Sequence, residues 1–150
     1  MNTTTEKSAA GSARERFEQM IRDFAPYFPQ QDLQCASDEE YAEILQNILD
    51  HKYLTNERIP FEITMEQALF SWYENVYYPL IRAIEEEGLE WSFPDATRGE
   101  LLLWVSRHWH FLKQERGPRV SAEEAVRSYG SQFGTGAFKR LMFRIRNLAA

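Results

Sequence analysis

An all-α fold of about six or seven helices follows from three observations. Apolar residues recur every three or four positions through each long segment, and no period-2 alternation competes with them. Hydroxyl residues stand at the head of these stretches, most with an acid or amide three positions on, which is the signature of a capped helix start. Proline falls between the stretches rather than within them, apart from Pro79.

The elements can be justified in order. Residues 1–11 are rich in Thr, Ser and Ala and read as a mobile tail, leaving 12–150 as a single helical domain. From Ser12, the residues Phe17, Met20, Ile21 and Phe24 form one stripe, and Pro26 and Pro29 end the first helix. Ser37 with Asp38, Glu39 and Glu40 caps the second, and Tyr41, Ile44, Leu45, Ile48 and Leu49 line it as far as about Tyr53. Residues 54–63 contain Pro60 and read as a loop. Thr64 and Gln67 open a third helix through an aromatic stretch, which Pro79 should kink or divide and Gly88 should end. Thr97 with Glu100 starts a helix reaching about Arg116, before Gly117 and Pro118. Ser121 with Glu124 starts another, ending near Gly134. A last helix is predicted from Ala137 to Leu148.

A shift of 57 residues aligns 43–72 with 100–129. Glu43/Glu100, Leu45/Leu102, His51/His108, Glu66/Glu123, Ala68/Ala125 and Ser71/Ser128 are identical pairs. Ile44/Leu101, Ile48/Val105, Ile63/Val120, Thr64/Ser121 and Trp72/Tyr129 are among the similar ones. The spacing predicts two helical hairpins built alike and packed together as one bundle.

Composition narrows the function. Apolar residues make up 43% and aromatics 14% of the 150 residues, enough for a real core. No apolar run reaches the length of a membrane span, and the first residues lack the apolar centre of a signal peptide, so a cytoplasmic protein is expected. The lone Cys35 excludes an internal disulfide and a cysteine zinc cluster. Net charge is −6, but from Arg116 onward it is +5, against −11 before. The whole surface therefore does not suit nucleic acid, while the basic end does.

Candidate chemistry is sparse. His108 falls in the apolar stripe of Leu101, Trp104, Val105, Phe111 and Leu112, and His51 holds the equivalent repeat position. Symmetric hairpins would bring the two histidines together, but two imidazoles do not make a metal site, so neither metal nor other cofactor is expected. Glu85, Glu86 and Glu87 are consecutive and point around a helix rather than into one site. No serine sits in a nucleophile elbow and Cys35 has no activating neighbour in sequence. The aromatic residues stand out. Trp72, Tyr73, Tyr77 and Trp104, with His108 and His51, form a candidate surface for a partner or ligand. In the last predicted helix Phe138, Leu141, Met142, Ile145 and Leu148 make an apolar stripe, with Lys139, Arg140, Arg144 and Arg146 on the other face.

Trp72-Tyr73, Val76-Tyr77 and Pro79, then Phe93-Pro94, Thr97, Leu101, Trp104 and His108, with His51 and Glu57 upstream, carry a resemblance. Over roughly 40–133 the chain resembles the helical C-terminal module of some bacterial ParB-like nuclease-domain proteins and related bacterial proteins. Asp95-Ala96 departs from the Gly-Arg usual there, and no ParB-like domain accompanies the module in these 150 residues, so nuclease or partitioning activity does not carry over. The resemblance implies a bacterial, intracellular, non-catalytic helical module.

The expected function is a cytoplasmic helical adaptor or regulatory module that binds a protein partner, with a homodimer as one form of that partnership. Two rivals have their own signatures. A DNA-associated accessory protein would use the basic C-terminal segment and lose binding steeply with salt. A small-ligand sensor or enzyme would use an aromatic pocket around His108.

Overall fold

The computed structural model describes residues 11–28, 33 and 35–134. Among them every regular element is helical. They fall into two compact units that meet between Tyr73 and Glu74.

The first unit holds α1 (Ala13–Phe24), α2 (Asp38–Arg58) and α3 (Met65–Trp72), with α2 packed against both others. Ser12 and Glu15 form a complete capping box on α1. Two further orphan N–H groups of that helix, on Ala13 and Arg14, donate to the Asp38 carboxylate at 3.1 and 2.9 Å. These bonds hold the Asp38 carboxyl below its ordinary value. The first residue of α2 thus also caps the start of α1. Phe17 and Ile21 of α1, Tyr41, Ile44 and Ile48 of α2, and Ala68, Leu69 and Trp72 of α3 are buried.

Helix α2 runs to Arg58, five residues beyond the expected end. Nothing between Tyr53 and Arg58 breaks a helix. Termination comes at Ile59, which is extended (φ −121°, ψ 154°) because Pro60 follows it. Asn56, inside this added turn, accepts the Ile63 N–H at 2.8 Å and so fixes the short loop into α3. Leu49, expected in the apolar stripe, is exposed instead.

Tyr73–Tyr77 is a π turn, and α4 (Tyr78–Glu86) follows directly. The chain is therefore helical without interruption from Met65 to Glu86. Pro79 neither ends nor splits it. The ring lies in the first turn of α4, just after the wider turn, where its missing N–H costs least. The described residues therefore make five continuous helices rather than six or seven, and the predicted helix 137–148 lies outside them.

Gly88 ends α4 in the left-handed region (φ 65°), and a single 3₁₀ turn, Leu89–Ser92, follows. Thr97 and Glu100 form a complete capping box on α5 (Arg98–Arg116), and Gly117 (φ 101°) ends that helix. Ser121 accepts the Glu124 N–H at the start of α6 (Ala122–Phe133). Helices α4, α5 and α6 all pack on one another. Arg98 ties the start of α5 to Glu85 at 2.9 Å and to Glu90 at 3.0 Å. A cation at a helix start opposes the macrodipole, and these two carboxylates offset it. Leu101, Leu102, Leu103, Val105, Trp109 and Leu112 are all buried, so α5 is enclosed around much of its girth over its first turns.

Candidate functional site

The two histidines of the aligned positions make the same bond. His51 Nε2 lies 2.8 Å from Ser71 Oγ, joining α2 to α3. His108 Nε2 lies 2.9 Å from Ser128 Oγ, joining α5 to α6. Each bond spans 20 residues of chain, and each imidazole is half-buried. Each histidine thus acts as a clasp across its own hairpin.

Around the clasps the aromatic residues differ. In the first unit Trp72 is completely buried, donates Nε1–H to Asn47 Oδ1 at 2.8 Å and stacks on Phe28, with centroids 6.1 Å apart. In the second unit the residues aligned in sequence with Asn47 and Trp72 are Trp104 and Tyr129, whose rings stack at 6.4 Å. Phe93 packs on both, at 5.9 and 5.6 Å. On the other side of Tyr129 lie His108 (5.6 Å) and Phe133 (4.9 Å), and His108 also meets Phe111 at 6.3 Å and Phe133 at 6.0 Å. Phe111 is 50% exposed and Phe133 56% exposed. The result is a row of contacting rings, partly buried at Phe93, Trp104, Tyr129 and His108 and most open to solvent at Phe111 and Phe133.

Of the residues proposed from sequence as a surface, Trp72 and Tyr77 are core side chains, 0% and 1% exposed. A periodic aromatic stripe signals an apolar face but not whether that face is covered. Tyr73 is half-buried and packs on Tyr27 and Phe28 in the first unit. Trp104, His108 and His51 are half-buried. The basic residues Lys139, Arg140, Arg144 and Arg146 lie outside the described residues. Phe111 and Phe133, the most exposed rings of the row, were not singled out as site residues. Their i, i+3 and i, i+4 relations to His108 and Tyr129 carried the signal.

Burial, together with the Arg116 guanidinium, holds the His108 imidazole below its ordinary value of 6.5. Burial also raises the Tyr129 phenol. The sign for stability follows directly. Below pH 6.5 the unfolded chain takes up a proton at His108 more readily than the folded chain does, so stability is full above 6.5 and falls as the pH drops through the lowered folded value. The urea midpoint should therefore decline between pH 7 and pH 5. His108→Gln should flatten that decline, and an unchanged slope in the variant would remove His108 as its source.

Among the described residues no cluster of three or more His, Cys, Asp or Glu is placed to hold a metal ion. Among them, too, no helix is long and apolar enough to cross a membrane. Compared with known proteins, the chain matches no family model, no curated protein and no solved structure.

Proposed function

We propose that the chain is a non-catalytic helical adaptor or regulatory module of the cytoplasm, and that it binds a protein partner through the aromatic row of its second unit. The observation that carries this reading is the half-exposed ring set of His108, Phe111 and Phe133, seated on rings that are themselves packed. Rigid aromatic side chains lose little rotamer entropy on binding and bury a large area each, which is why they anchor protein interfaces.

The proposal includes a duplication, in which 43–72 and 100–129 are two copies of one hairpin. Supporting it are the two His–Ser clasps at matched positions and the matched burial of Ile44/Leu101, Ile48/Val105, Ile63/Val120 and Ala68/Ala125. Asn47–Trp72 and Trp104–Tyr129 then fill the same place with the large ring moved from the second helix to the first. On this reading the first copy has spent its ring on the core and the second has turned its rings outward. Kinship with the helical module of ParB-like nuclease-domain proteins belongs to the same proposal and rests on the residues quoted above.

The test compares full-length chain with the Phe111→Ser/Phe133→Ser variant in capture from bacterial cytoplasm, followed by identification of what is bound. Both rings are half in solvent, so the variant should keep its helices, which circular dichroism checks. The expected result is a protein retained by the parent chain and lost by the variant. The same proteins on both would overturn the reading. Nucleic acid on both, released by moderate salt, would replace it with the basic-segment reading.

A further inference from the structure

We propose that the outer face of α2 is a docking surface for a basic amphipathic helix of a partner protein. This face belongs to the first unit and is independent of the aromatic row.

Tyr41, Ile44 and Ile48 are the buried face of α2. Ala42, Gln46, Leu49 and Tyr53 are exposed on another side of the same helix, at steps of four, three and four residues. They make a seam about 17 Å long, with the spacing by which one helix packs along another. Leu49 is 46% exposed and Tyr53 64%, so the two large apolar side chains of the seam both stand in solvent. A tyrosine offers a large apolar ring with a polar tip, which suits a contact that is closed only on binding.

Charge selects the occupant. Glu43, Asp50 and Glu57, all exposed, line one edge of the seam at intervals of seven residues. Helix stability does not account for them. No base stands three or four positions from any of the three in sequence. Glu57 lies in the last turn, where the macrodipole favours a cation. Two copies of α2 do not suit each other. In an antiparallel pair each edge faces its own copy, which sets three acids against three. In a parallel pair the acidic edge faces the edge of Leu45 and Lys52, one cation against three acids. A helix with its own apolar stripe and a row of Lys or Arg beside it matches both the seam and the edge. Residues 1–73 carry thirteen acids against six bases, so the charge of the whole unit adds to the attraction.

The experiment follows the fluorescence anisotropy of two labelled synthetic peptides, each of about three heptads, on the full chain. Both carry leucine at the seam positions. One has lysine at the flanking positions and its twin has glutamate there. The expected result is that the basic peptide binds about tenfold or more tightly than its twin. Leu49→Ser/Tyr53→Ser should lose that binding by a similar factor, while Phe111→Ser/Phe133→Ser should keep it. Glu43→Lys/Asp50→Lys/Glu57→Lys should reverse the preference in favour of the acidic twin. Glu62→Lys/Asp95→Lys/Glu115→Lys makes the same change of net charge at exposed positions elsewhere and should leave the preference in place. Circular dichroism checks that each variant keeps its helices. No preference between the peptides, or a preference that follows net charge wherever the lysines stand, would overturn the proposal. So would binding lost with Phe111 and Phe133, which would move the peptide to the aromatic row. Sedimentation showing self-association that disappears in Leu49→Ser/Tyr53→Ser would give the face to a second copy instead.

Discussion

Trp72→Ala should lower the unfolding free energy by about 3–5 kcal/mol, read as a large drop in urea midpoint. Trp72 is the largest of the fully buried side chains and has no solvent exposure. Removing it leaves a cavity between α2 and α3, takes away the ring on which Phe28 stacks, and deletes the donor to Asn47. A loss of this size is a large part of the roughly 5–15 kcal/mol that holds a typical domain together. Trp72→Phe separates the causes. It keeps one aromatic ring but drops the N–H and part of the indole, so it should cost about 1 kcal/mol through the hydrogen bond, plus a term for the smaller volume. Equal losses in the two variants would mean that the bond to Asn47, not the packing, is what Trp72 supplies.

Leu101→Ala should cost about 2–5 kcal/mol. Leu101 lies one turn into α5 with no exposure, and its neighbours Leu102 and Leu103 are buried on the other sides of the same helix. A helix enclosed on several sides cannot tilt to close a gap on one of them without opening another, so little of the cavity will relax. Glu115→Ala, on an exposed position of the same helix, should stay within about 0.5 kcal/mol. Urea unfolding followed by circular dichroism gives both values. A small loss at Leu101 would mean that the helix relaxes to close the gap after all.

The starts of the helices were legible because caps are local. Thr64 with Gln67, Thr97 with Glu100, and Ser121 each do in the structure what their spacing announces. Gly88 was legible for the same reason, since its positive φ is a single-residue property. The end of α2 was misplaced because it depends on what is absent between Tyr53 and Arg58, and propensity alone does not mark such an end. Pro79 was read as a breaker because the rule against an interior proline assumes a regular turn before it, and the π turn changes that premise. Of the candidate site, the aromatic character was visible and its exposure was not. Trp72 and Trp104 look alike in sequence, yet one is sealed and the other half-open, because their neighbours come from segments distant in the chain. The clasps were within reach. Histidine and serine were both identical between the aligned segments, and two polar identities 20 residues apart on facing helices are a hydrogen bond waiting to be drawn.

The clasps also bear on how quickly the chain reaches its native state. Each closes a loop of only 20 residues, and closure entropy grows with the logarithm of loop length, so joining the two helices of a hairpin is entropically cheap. Helical proteins dominated by such local contacts fold in microseconds to milliseconds. The first hairpin, complete at Trp72, would have all its partners in hand while the second was still being synthesised. Its exposed apolar surface would then be short-lived on the ribosome, where synthesis proceeds at about 5–20 residues per second.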